Sequence, residues 1–250
     1  MAGHSHWANI KHYKGAADNK RGKAWSKLSR LIIIAARTGG GDPVMNLRLR
    51  YAIDKARAIS MPKDNIERAI RKGTGEVAGI IFDELIYEGF AQGGAAIVVD
   101  LLTDNRNRTN GEVRKIFEKG GGNMGVSGCA AHFFDRKGIF LIPATGIDED
   151  QLMSIVLDAG ADDMQKEGDK FSVTCEPGLF SKVQEALTHN KITPEASEIT
   201  MVPKMTVEVD AENARKITRL LENLDDNDDV QNVYCNMHLS PEVLAELKRS

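Results

Sequence analysis

The residues with the clearest chemistry lie between Gly3 and Arg37. His4, His6 and Trp7 open this stretch, and Lys11, Lys14, Lys20, Arg21, Lys23, Lys27, Arg30 and Arg37 follow against a single acid, Asp18. Trp7, His12 and Tyr13 stand among the cations. Cations neutralise phosphates and flat rings offer faces on which bases stack, so this mixture fits a nucleic-acid strand. Arg48, Lys55, Arg57 and Arg71 extend the basic character downstream. A second cluster, Thr103-Asp104-Asn105-Arg106-Asn107-Arg108-Thr109, is dense in hydrogen-bonding groups. It reads as helix capping and loop closure, or as a second polyanion contact through Arg106 and Arg108.

Other constellations point away from catalysis. His4, His6 and His12 lack the further ligands, often cysteine, that a zinc site needs. Asp225-Asp226-Asn227-Asp228-Asp229 resembles a calcium loop, but Val230 stands where an EF-hand needs Gly and Asn236 where it needs Glu. It reads instead as a solvated helix-to-strand turn. There is no G-x-S-x-G, no H-E-x-x-H and no Cys–His arrangement. The expectation is a non-enzymatic protein with no cofactor, no metal and no small-molecule substrate.

The charge balance sharpens this. Residues 1–72 hold 16 Lys+Arg and 5 Asp+Glu, a balance of +11, and residues 73–250 hold 17 and 31, a balance of −14. A basic module and an acidic body are implied, the former for a polyanion or, in the alternative, for an acidic protein partner. Cys129, Cys175 and Cys235 are odd in number and far apart, as in a reducing compartment. The first apolar run, Leu31–Ala36, is too short for a signal peptide or a membrane span, so a cytoplasmic protein is expected.

The elements that must position these residues follow from periodicity. Residues 1–22 carry no apolar period and read as an arm, with a short helical turn near Ala16–Lys20. A helix from Lys23 to Arg37 places Ala24, Trp25, Leu28, Leu31, Ile32, Ala35 and Ala36 on one face. Lys23, Lys27, Arg30 and Arg37 fall opposite, on an arc of roughly 80° left free for phosphates. Ile34 breaks that pattern by falling among the cations. Asp42 and Pro43 open a second helix with Met45, Leu49, Ala52, Ile53, Ala56 and Ile59 inward, and Pro62 to Gly73 gives a third.

From Ile81 the pattern becomes strands: Phe82–Glu88, then Ala95–Thr103 as a central strand buried on both faces. A helix at Asn110–Lys119 precedes the glycine run Gly120–Gly128, which lacks the Gly-Lys-Ser/Thr of a P-loop and reads as a mobile connector. Residues 138–202 then read strand, helix, strand, strand, helix, strand, the ferredoxin-like βαββαβ unit. A strand through Met205, Val207 and Val209, a helix at Ala211–Leu224, a strand at Val230–Met237 and a short helix after Pro241 complete the chain. The expected fold class is α+β: a three-helix domain followed by two ferredoxin-like α+β domains, one inserted in the other. The expected boundaries are 1–80 for the helical domain with its arm, 81–133 plus 204–250 for a discontinuous domain, and 134–203 for the insertion.

Specific residues carry a family resemblance. They are Met1-Ala2-Gly3-His4-Ser5-His6-Trp7, Asn9-Ile10-Lys11, Lys20-Arg21-Gly22-Lys23, Pro62 to Ile70, Tyr87-Glu88-Gly89, Thr103 to Thr109, and Asp229-Val230-Gln231-Asn232-Val233-Tyr234. In these the chain resembles the YebC/PmpR family, whose mitochondrial relatives activate translation of a cytochrome oxidase subunit. It departs at Cys129-Ala130-Ala131-His132-Phe133-Phe134, where that family carries a strand with small hydroxyl residues. The resemblance implies three domains, no enzyme activity and a basic module on nucleic acid. Members are described either as DNA-binding transcriptional regulators or as ribosome-associated factors that help translation through proline runs. Aromatic residues interleaved in an arm suit unstacked RNA bases better than a duplex, which favours ribosomal RNA over DNA.

Overall fold

A computed structural model of the protein describes residues 18–240 and 242–243. Its first element, helix α1, spans Asp18–Gly39, five residues longer at its start than periodicity predicts. Gly22 does not stop it. A mid-helix glycine costs about 1 kcal/mol relative to alanine, an amount that downstream packing can offset. Ile32, Ile33, Ile34, Ala35 and Ala36 are all buried, so this part of α1 is enclosed on every side. The placement of Ile34 among the cations is thereby explained.

Helices α2 (Leu47–Ala58) and α3 (Lys63–Thr74) pack on α1. The helical core joins Ile32, Ala35, Leu49, Ile53, Ala56, Ile66 and Ala69, with Trp25 and Leu28 at its edge. The N-terminus of α2 differs from the expectation. Asn46 is its cap, not Asp42. The Asn46 side chain accepts from Leu49 N–H at 3.0 Å and donates to Ala35 O and Gly40 O at 2.7 and 2.8 Å. One buried amide therefore caps α2 and ties it to the end of α1. Asp42 instead closes the preceding turn by accepting from Val44 N–H. Gly73 does not end α3, whose left-handed cap is Gly75 at φ 84°. A Cβ on Gly73 would lie 2.5 Å from Ile33 O, so its role is close approach to α1.

The following sheet has the spatial order β3-β1-β2-β9, all neighbours antiparallel, with β1 at Asp83–Phe90, β2 at Ala96–Thr103, β3 at Asn123–Met124 and β9 at Val230–Cys235. Strand β2 is central and Ile97, Val98 and Val99 are fully buried, as its continuous apolar run predicts. Helices α4 (Arg106–Lys119) and α7 (Ala211–Asp225) cover one face through Val113, Phe117, Ala214, Ile217, Leu220 and Leu221. The strand order is that of a ferredoxin-like sheet. Here β1 precedes the βα unit in the chain, where a βαββαβ unit would supply that strand after β3. The short strand β8 (Val207–Glu208) pairs in parallel with β10 (Met237–His238), so the strand expected through Met205 is shorter and Met205 is exposed.

The glycine run is not a mobile connector. Gly125 N–H bonds Glu88 O, and the buried Glu88 carboxylate accepts from the amides of Gly128, Ala130 and Ala131, each at 2.6 Å. Glu88 is 4% exposed, and three convergent donors satisfy the charge that burial would otherwise penalise.

Residues 132–206 form a separate compact unit. Strands β4 (Phe134–Pro143), β5 (Ala161–Glu167), β6 (Lys170–Cys175) and β7 (Ala196–Pro203) stand in the order β5-β6-β4-β7. Helices α5 (Glu149–Asp158) and α6 (Phe180–His189) complete the βαββαβ unit. Phe140 on β4 stacks on Phe180 of α6 at 4.6 Å between ring centroids. Three antiparallel pairings in this order are the ferredoxin-like arrangement. Among the described residues the fold is α+β, with three helices ahead of two four-stranded antiparallel sheets and the small parallel pair β8–β10.

Candidate nucleic-acid interface

Three of the four cations expected on the basic face of α1 are engaged within the chain, and Arg37 stays exposed. Lys23 Nζ donates to Asp226 O at 3.1 Å, and Lys27 Nζ donates to Asp225 O and lies 3.6 Å from the Asp225 carboxylate. Arg30 donates to Asp228 O and, at 3.0 Å, to Asp229 Oδ1, and its guanidinium stands 5.4 Å from the Phe82 ring centre. All three cations thus meet the turn joining α7 to β9, at the end of α7 where carbonyls lack intrahelical donors and the helix dipole is negative.

That turn is only partly solvated. Asp226 and Asp228 are exposed, but Asp229 is 3% exposed. Asp229 Oδ2 accepts from Thr109 Oγ1 at 2.6 Å, from Arg108 at 2.8 Å and from Thr103 Oγ1 at 3.0 Å. Burial alone pushes this carboxyl up. The hydrogen bonds from Thr109, Arg108 and Thr103 and the charge of Arg30 outweigh burial and hold it below the usual carboxylate range.

Arg106 and Arg108 are both paired within the protein. Arg108 bridges Asp104 and Asp229, each at 2.8 Å, and Arg106 donates to Asp83 at 2.8 Å. The Arg106 hydrogen bond holds Asp83 below its ordinary range. Asn105 caps α4 by accepting from Arg108 N–H. The Thr103–Thr109 stretch therefore closes a loop and caps a helix, and it also receives the buried aspartate of a distant turn.

The remaining cations divide. Arg48 pairs with Glu84 at 2.8 Å, and Arg57 lies 3.6 Å from Asp54 one turn away. Arg50 clasps the carbonyls of Pro43 and Val44. Lys55 is exposed on α2. On α3, Arg68, Arg71 and Lys72 are exposed on the side opposite Ile66 and Ala69, and they make no ion pair with the described residues. Helical periodicity alone places Arg68 and Lys72 on the same outward side as Arg71. His4, His6, Trp7, Lys11, Tyr13 and Lys14 lie outside the described residues, as do the side chains of Lys20 and Arg21. No group of metal-binding side chains occurs among the described residues.

Comparison with known proteins places this geometry. Residues 5–76 match the TACO1/YebC protein N-terminal domain, and residues 82–237 match the TACO1/YebC second and third domain. The chain belongs to the TACO1/YebC family. It is 50% identical over 247 residues to a probable transcriptional regulatory protein of Geobacter sulfurreducens, covering 99% of this chain and 100% of that one. It is also 50% identical to one of Natranaerobius thermophilus, over 98% of this chain and 99% of that one. Among solved structures it is similar to a conserved hypothetical protein of Aquifex aeolicus, 46% identical, with a TM-score of 0.84 over 96% of this chain and 99% of that one.

The stretches that carry the family resemblance in the α+β part have architectural work in this structure. Glu88 of Tyr87-Glu88-Gly89 clasps the glycine loop, and Gly89 approaches Asn123 O so closely that a Cβ would stand 2.5 Å from it. Thr103, Thr109 and Asp229 form one buried cluster. The helical region also keeps family residues, and there the exposed cations of α3 lie within or just beyond the matching stretch from Pro62 to Ile70. Among the described residues no helix is long and apolar enough to cross a membrane.

Proposed function

We propose that this protein is a non-enzymatic regulator of gene expression that binds nucleic acid through the helical domain and its basic arm. The observation that carries the reading is the outward face of α3, where Arg68, Arg71 and Lys72 are exposed and make no ion pair with the described residues. Unneutralised cations on one helical face are suited to phosphate contact, and phosphate contact gives affinity without sequence information. The names of the Geobacter and Natranaerobius relatives support a regulatory role and favour transcription. The arm favours RNA, because Trp7 and Tyr13 can stack on unpaired bases. Ribosomal RNA is the preferred target and duplex DNA the alternative.

Competition binding of the purified protein to ribosomes, duplex DNA and an acidic protein across a salt series tests this. Saturable binding to ribosomes with weak, sequence-blind DNA binding is expected. Promoter-selective DNA binding that persists at physiological salt would move the protein to transcription, and preference for the acidic protein would overturn the nucleic-acid reading.

A further inference from the structure

The turn that receives α1 has the chemistry of a short polyanion. It carries the carboxylates of Asp225, Asp226, Asp228 and Asp229 within five residues. It also presents the carbonyls at the C-terminal end of α7, which attract cations through the helix dipole. Lys23, Lys27 and Arg30 approach it at i, i+4 and i+7, the spacing that would place them along a phosphate backbone. We propose that this acidic turn is an intramolecular competitor for the phosphate-binding face of α1, a latch that nucleic acid displaces. The inference rests on the nucleic-acid reading above and adds to the α3 surface a second face, on α1, that is uncovered only when the turn leaves.

The two halves of the contact differ in how firmly they are held. The outer contacts are slighter: Lys23 donates to the main-chain carbonyl of the exposed Asp226, and Lys27 donates to the main-chain carbonyl of Asp225 with the carboxylate 3.6 Å away, so neither is a close ion pair. Asp229 is fixed by Thr103, Thr109 and Arg108, none of which belongs to α1. The acidic half therefore persists when α1 leaves. An open polar cleft beside the contact brings Lys23, Arg30 and Arg108 together with five carboxylates, Asp226 and Asp228 among them, so its charge opposes a phosphate while the turn is seated. Displacing the turn requires replacing several contacts at once. A strand with several phosphates in register displaces the turn, whereas isolated anions do not.

The test compares three full-length proteins: the wild type, the turn variant Asp225→Asn/Asp226→Asn/Asp228→Asn, and the control Glu149→Gln/Asp150→Asn/Asp158→Asn. The control removes the same charge from exposed positions in the separate unit. Asp229 stays intact to preserve the buried cluster. Binding is measured to a short single-stranded RNA and to a short DNA duplex. The turn variant is expected to bind both about threefold more tightly than the control, with the slope of log K against log salt steeper by about 1, because Lys27 loses its carboxylate partner while the carbonyl contacts and the Arg30–Asp229 pair remain. Adding Lys23→Gln and Lys27→Gln to the turn variant should abolish the gain. Should the triple variant fail to fold, Asp226→Asn and Asp228→Asn singly, both exposed, should give smaller gains of the same sign. A turn variant no tighter than the control, with wild-type binding intact, overturns the latch and leaves the nucleic-acid reading standing. Absence of binding by the wild type and the turn variant alike overturns both.

Discussion

Asp229 gathers Thr103, Thr109, Arg108 and Arg30 around one buried carboxylate, and its removal should cost more than any other single change in this cluster. Asp229→Ala leaves two buried hydroxyls without their acceptor and two guanidinium groups without a shared counter-charge. A loss of about 2–4 kcal/mol is expected in urea unfolding. The pH dependence follows from the sign of the shift. The folded-state carboxyl binds its proton less readily than the unfolded one, so its contribution is present above the ordinary carboxylate range and lost as pH falls through the folded value. Wild-type stability should therefore drop below about pH 4, and Asp229→Asn should flatten that acid limb. Cys175 offers a second check. It is fully buried, and burial, with Asp162 and Glu176 nearby, pushes its thiol up to about 11. It should resist alkylation in the native protein at neutral pH and react only on unfolding. At this scale the sequence showed half of each site. The density of polar groups at 103–109 was visible, but their acceptor lies more than a hundred residues away in a stretch whose own composition reads as solvent-facing.

The elements were legible where period and burial agree. β2 shows a continuous apolar run, and the strand-helix-strand-strand-helix-strand order read over residues 138–202 emerges without adjustment. Edges were less legible for a physical reason. Asp42 and Asn46 can both accept from a helix N-terminus, and only the carbonyls of Ala35 and Gly40 decide for Asn46. Glycines were misread for a similar reason. Gly73 and the run 120–128 look like breaks, whereas the first permits a helix contact and the second is held by Glu88. Gly73→Ala should push α3 from α1 and cost about 1–3 kcal/mol, measured by denaturant unfolding. Wild-type stability in that variant would show that the helices separate without strain. Glu88→Gln should accelerate amide hydrogen exchange at Gly128, Ala130 and Ala131 while leaving β2 protected. Unchanged exchange there would assign the loop's order to other contacts.

At the scale of the molecule, the charge split between residues 1–72 and the rest was plain in the sequence, and it separates a basic module from an acidic body. What composition could not reveal is how the cations are spent. Lys23, Lys27 and Arg30 of α1 meet the acidic turn of the same chain, so among the described residues the basic surface open to a polyanion shifts towards α3. The salt dependence of binding reads directly which helix meets the polyanion. The variant Arg68→Gln/Arg71→Gln/Lys72→Gln alters exposed side chains and should keep its unfolding midpoint. Its slope of log K against log salt for ribosomes, RNA and duplex DNA should fall by about 2 to 3 relative to the wild type, with uniformly weaker binding across sequences. A variant that binds as tightly as the wild type with an unchanged slope would contradict the α3 contact.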